Sequence, residues 1–220
     1  MSFLIRVALP DTPGSLGRLA EAFGRVGANI QSVDIVEVTP GRVVVDDIVV
    51  SLSPGVMADV VITAANSVEG ADVDSIRPFS GRVDRRGQIE MLAQVARHAH
   101  NVPQAMADLM LVLPTSMTAS WALVLRTDGP ITRVAASAAA PEDDGSTPER
   151  IDVDRARTLH PEKDLWLPES WTVLESALAA APLKGTDMVI VVARAGGPDF
   201  LAGEIDHLHN LATIVGALLR

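Results

Sequence analysis

The order of hydrophobic patterns predicts an α+β fold in two domains. Three observations carry this. Residues 1–80 show strand and helix periodicities in the order βαββαβ. Residues 81–87 form a polar linker with three arginines and no apolar period. Residues 88–220 hold two helical stretches, a strand hairpin, a Val/Ile-rich strand and a long closing helix.

In the first domain, residues 3–9 alternate as a strand with Phe3, Ile5, Val7 and Leu9 on one face. Asp11-Thr12-Pro13-Gly14-Ser15 then reads as a helix start, with Asp11 or Thr12 as cap and Pro13 in the first turn. Leu16, Leu19, Ala20, Phe23 and Val26 recur at helical spacing, and Gly27 ends the helix. Residues 29–38 and 43–52 are Val/Ile-rich strands around Thr39-Pro40-Gly41-Arg42, a type II turn signal. Ser53-Pro54 starts a second helix, with Met57, Val60, Val61, Ala64 and Val68 on its buried face. Residues 72–77 form the last strand.

In the second domain, Asn101-Val102-Pro103 splits the helical stretch 88–112 in two, because the residue before proline leaves the helical region. Residues 119–126 and 131–138 flank Asp128-Gly129 as a hairpin. Residues 140–150 read as an exposed loop. A charged helix and a further helix over 169–179 are expected within 151–182. Residues 187–194 are a buried strand. The final helix places Leu201, Ile205, Leu208, Ala212, Val215 and Leu219 on one stripe and Leu211, Ile214 and Leu218 on another, so it is expected to be buried on two sides.

Composition excludes several function classes. The net charge is −10, with ten acids against five bases in residues 1–80 and 18 against 13 in the rest. No basic domain is hidden by the average, so nucleic-acid binding is disfavoured. There are no cysteines, hence no disulfide or thiolate chemistry. The apolar N-terminal run is too short for a signal-peptide core, and no run spans a membrane, so a cytoplasmic protein is expected. Gly-x-Ser-x-Gly, His-Glu-x-x-His and P-loop motifs are absent, and no catalytic residue is assigned. His98-x-His100 and His207-x-His209 point to opposite sides of a helix, and a lone Glu204/His207 pair is too few ligands, so neither metal nor cofactor is expected.

The run from Asp11 through Pro13-Gly14 and Leu16 to Gly27-Ala28-Asn29-Ile30 resembles the ACT domain family. That resemblance implies a ferredoxin-like βαββαβ sheet that pairs with a second copy, as a homodimer or higher homo-oligomer, and binds an amino acid at the joint. It places ligand contacts at Asp11, Thr12, Pro13, Gly14, Ser15, Leu16, Asn29 and Ile30. The second domain is similar to a GAF-type α/β sandwich with flanking helices, through its opening helix, its hairpin, and the last strand with Gly196-Gly197-Pro198-Asp199-Phe200-Leu201 and a long helix. It departs from that family in lacking a cysteine for a bilin and the Asn-Lys-Phe-Asp-Glu signature of cyclic-nucleotide binders, so no ligand class carries over.

The loop chemistry fits a carboxylate guest. Free N–H groups and the dipole of a helix N-terminus attract anions, and Gly14 lets a ligand approach the backbone. Asn29 offers both donor and acceptor. The same residues also fit a plain helix cap and a turn. The reading is an amino-acid-responsive regulator or sensor. An enzyme with its site in residues 88–220, or an adaptor binding a protein partner, are the alternatives. Asp46-Asp47 lies in a strand with side chains on opposite faces, so one faces the helices unless a bulge intervenes; the pair fits a ligand's ammonium, but an edge or exposed position is expected.

Overall fold

A computed structural model describes every residue except 40, 80–84, 144, 146 and 147, and the side chains of residues 85 and 86. The fold is α+β: the chain divides into two compact units, Met1–Val83 and Asp84–Arg220, each an antiparallel sheet with helices. The tip of the Pro40-Gly41 turn and most of the predicted linker, 81–84, lie outside the described residues.

The first unit runs β1 (Ser2–Pro10), α1 (Ser15–Arg25), β2 (Asn29–Thr39), β3 (Val43–Ser51), α2 (Ala58–Asn66) and β4 (Asp72–Pro78). Its sheet has the order β2-β3-β1-β4, with β2 and β4 at the edges. Alternation along β1 and β3 puts Phe3, Ile5, Val7, Leu9, Ile48 and Val50 against Leu19 and Phe23 of α1 and Val61 and Ala65 of α2. On the opposite face, Arg6 donates to both carboxylate oxygens of Asp47 at 2.7 and 2.8 Å, fully buried, beside Leu4 and Val49.

Two expectations for this unit are corrected. Neither Asp11 nor Thr12 caps α1; Gly14 does, in the left-handed region at φ 90, without a side-chain bond. The second helix starts at Ala58 rather than at Ser53-Pro54, because Val56 N–H closes a separate turn onto Ser53 O, leaving Met57 exposed as the cap. At the far end of α1, Gly27 at φ 73 reverses the chain and lets Ala28 N–H bond Phe23 O.

The second unit runs α3 (Arg85–Arg97), α4 (Val102–Ser116), β5 (Trp121–Arg126), β6 (Thr132–Ala136), β7 (Arg157–Leu159), α5 (Glu169–Thr172), β8 (Ala177–Pro182), β9 (Met188–Arg194) and α6 (Ala202–Leu218). The sheet order is β6-β5-β9-β8-β7. One face, through Ala122, Val124, Ile190 and Val192, packs under α3, α4 and α6. The other, through Trp121, Leu123, Val191 and Ala193, is filled by Val153, Leu159 and Trp171 from the segment between β6 and β8. Helix α3 begins at Arg85, inside the stretch read as linker.

The expected helix over 169–179 is one turn only. Leu174 and Glu175 take φ 61 and 50, which no helix admits, and Ala177–Pro182 continues as a strand. The alanines of β8 favour helix in isolation, but pairing with β9 and burial on both faces override that preference. Residues 157–159 are likewise a strand, not part of a charged helix. The second stripe of α6 is buried only at Leu211; Ile214 is exposed. Among the described residues, no helix is long and apolar enough to cross a membrane.

Candidate functional site

The loop between β1 and α1 is organised by short-range bonds. Thr12 N–H donates to Pro10 O at 2.8 Å, and Ser15 N–H to Thr12 O at 3.2 Å. The hydroxyls of Thr12 and Ser15 lie 2.9 Å apart. Ser15 is buried while Asp11 to Gly14 and Leu16 are exposed, so the outer rim of the loop faces solvent. Asp11 is tied elsewhere: its carboxylate accepts from Gly41 N–H at 3.1 Å, and its own N–H donates to Arg42 O. It fastens the loop to the β2–β3 hairpin.

Arg18 is the residue that motif reading missed. It lies one turn into α1, donates from Nη2 to Ser15 Oγ at 3.0 Å, and brings Nη1 within 3.5 Å of the place a Gly14 side chain would begin. A guanidinium thus stands beside the first turn of α1, where Ser15 N–H is bonded to Thr12 O and the N–H groups of Leu16 and Gly17 have no carbonyl a turn earlier in the helix. Together they form an anion site the size of one carboxylate. The available signal was a basic residue four positions after the loop glycine, on the same helix face.

Asn29 and Ile30 are not beside this loop. Asn29 pairs with Ser51 and Ser51 with Ser2, whereas the loop follows Pro10, which pairs with Val43. Eight residues of β3 separate the two ends, about 26 Å at 3.3 Å per residue. Within one chain the two halves of the expected site therefore lie at opposite ends of the sheet. The edge strand that joins them, β2, leaves Val33, Ile35 and Val38 exposed on the helix-bearing face.

Asp46 and Asp47 do occupy opposite faces, but both are buried rather than exposed. Asp47 is held by Arg6. Asp46 faces the helix layer on the rung Val7–Asp46–Ile35, and its Oδ1 receives no hydrogen bond. Burial first, then the charges of Asp47 and Asp34, push its carboxyl above the ordinary carboxylate value.

Elsewhere His98, His207 and Glu204 are occupied by structure. His98 meets Asp108 across the α3–α4 pair, and His207 meets Gln88. Glu204 is bonded to Arg194 and to Leu201 N–H. No group of three or more potential metal ligands occurs among the described residues. Trp121, Trp166 and Trp171 stack edge to face, with centroids 6.1 and 6.5 Å apart. A shallow hollow of about 230 Å³ near the β5–β6 turn is lined by Arg126, Asp128, Asp187 and Leu219.

No protein-family model matches the chain, and no curated protein matches it. Among solved structures, the chain is similar to the GAF domain of an Acinetobacter phosphoenolpyruvate-protein phosphotransferase, at 13% identity over 62% of this chain and 94% of that one, TM-score 0.47. The GAF domain of a Coxiella burnetii phosphoenolpyruvate-protein phosphotransferase gives 13% identity, 60% and 92% coverage, and TM-score 0.43. A structure assigned to a glycine cleavage system transcriptional repressor aligns over 96% of this chain and 90% of its own length, at 11% identity and TM-score 0.28. Likeness of this degree is one of shape, and carries no residue role across.

Proposed function

We propose that the chain is an amino-acid-responsive regulatory or sensor protein whose first unit works as an ACT-type pair. The observation that carries this reading is the separation of Asn29 from the Asp11–Leu16 loop. Two copies joined antiparallel along β2 bring Asn29 of each beside the Thr39 end of the other, next to its loop. One ligand then bridges both halves at each end of the joint. The exposed Val33, Ile35 and Val38 supply apolar area for that joint.

In this arrangement Arg18 and the first-turn N–H groups of α1 hold the ligand carboxylate. Gly14 leaves the approach open, and Asn29 of the partner copy reads the ammonium or carboxylate from the other side. Because the ligand touches both copies, it favours the paired state, and its binding free energy becomes a shift in assembly.

The test is a thermal-shift screen of the full chain against the standard amino acids. A ligand at about 100 times its Kd adds about 2.7 kcal/mol, several degrees for a chain of this size. One or a few amino acids raise Tm, and Gly14→Asp, which adds both a strained left-handed residue and a repelling charge, removes the response. If no amino acid shifts Tm, the reading is wrong.

A further inference from the structure

Asp46 is a buried carboxylate of the first unit that folding does not explain. It is 3% exposed, its Oδ1 has no donor, and its rung neighbours are Val7 and Ile35. Taking a carboxylate from water without a donor is costly, and proteins keep such groups paired or put them to use. Arg6, next in β1 to its rung partner Val7, is bonded to Asp47 on the other face of the sheet. Asp46 thus lies on the face that carries α1 and the Asp11–Leu16 loop, one strand in from the exposed edge, with no ion pair to it among the described residues.

We propose that Asp46 is the cation-binding residue of the ligand site, and that the ligand is an amino acid with a long basic side chain. The proposal rests on the reading above for the position of the ligand carboxylate, at Arg18 and the start of α1. Distance selects the ligand. The loop leaves the sheet at the Pro10–Val43 pair, and Asp46 is three residues farther along β3, about 10 Å. An α-ammonium sits one carbon from its carboxylate and falls well short. A side-chain ammonium or guanidinium several bonds farther out spans the interval. Its methylenes then lie along Val38 and Ile35, the β2 residues between those two rungs, which are 50% and 58% exposed on this same face.

Charge supports the same choice. Asp34 and Asp47 flank Asp46, so the local field favours a positive guest over a neutral one. A charge-assisted bond to a desolvated carboxylate discriminates strongly, because a neutral ligand of equal length leaves it unpaired.

The experiment is calorimetric titration of the full chain with lysine, ornithine, arginine and norleucine, repeated for Asp46→Asn and Gly14→Asp. The expected result is that at least one basic amino acid binds at least roughly tenfold more tightly than norleucine, and that Asp46→Asn removes this preference. Circular dichroism of Asp46→Asn checks that the variant is folded. If norleucine binds as tightly as lysine and Gly14→Asp abolishes both, the inference fails while the loop site stands. If lysine binding is lost in Asp46→Asn but kept in Gly14→Asp, the cation site stands and the loop reading falls. If none of the four binds, the inference fails, and the screen of all standard amino acids decides the loop reading separately.

Discussion

Two buried aspartates respond to pH in opposite directions. Asp164 accepts from Arg157 at 3.0 Å and from His160 N–H at 2.8 Å. Arg157 first, with lesser help from His160 N–H, holds its carboxyl below the ordinary value against the opposing effect of burial. Its contribution is present above the ordinary carboxylate value and is lost as pH falls through the lowered one. Asp164→Ala is expected to cost about 1–3 kcal/mol at neutral pH, and less in acid, by thermal unfolding across pH. Asp46 is raised instead. Between the ordinary value and the raised one, the folded chain keeps a proton that the unfolded chain has released, so stability falls as pH rises through that window. Asp46→Asn is therefore expected to raise Tm at neutral pH, with the gain shrinking toward the acidic end. A variant that lowers Tm at neutral pH would show that Asp46 is a structural group after all.

The elements of the second unit are locked at a few close contacts. Arg194, at the end of β9, is completely buried over the Phe200 ring. It donates to Thr118 O at 3.1 Å, to Thr118 Oγ1 at 2.8 Å and to Glu204 Oε1 at 2.7 Å. These bonds hold Thr118 at φ 47, a conformation a β-branched residue resists, and fix the first turn of α6. Arg194→Ala strips one partner from a buried ion pair and is expected to cost about 3–5 kcal/mol by denaturant unfolding. Gly216 of α6 faces the β8–β9 turn, where an added Cβ would meet Lys184 O at 2.6 Å and Lys184 N at 2.7 Å. Alanine is the better helix former by about 1 kcal/mol, yet both contacts are rigid backbone. Gly216→Ala is expected to destabilise by about 1–3 kcal/mol, and a stabilised variant would show that α6 shifts freely on its sheet.

At the scale of the whole molecule, assembly is the quantity to measure. The β2 edge presents exposed aliphatic side chains on an acidic chain of pI about 4.9. Sedimentation equilibrium is expected to give a dimer that tightens with ligand. Ile35→Lys places a charge at the joint and is expected to yield monomers that keep the fold, as such charges do on natural sheet edges. Dimers that persist in Ile35→Lys would move the interface away from β2.

The sequence by itself determined the βαββαβ order, the hairpin at Asp128-Gly129, the closing helix and the split of the 88–112 stretch, although Val102 and Pro103 open the second helix rather than lie in the break. Each of these is written in local periodicity or in a turn residue that acts on its own neighbours. Sequence also brought Asp11–Leu16 and Asn29-Ile30 forward as candidates, by resemblance. Only the tertiary structure decided where they lie, because strand register is set by pairing partners far apart in the chain. That register separates Asn29 from the loop by the length of β3. Arg18 and Asp46 were equally invisible as a pair, since one is a surface arginine and the other half of an acidic dipeptide until the sheet and α1 place them on one face. Ala177–Pro182 failed for the same reason: its alanines favour a helix, and only the neighbouring strand, burying it on both faces, makes it a strand.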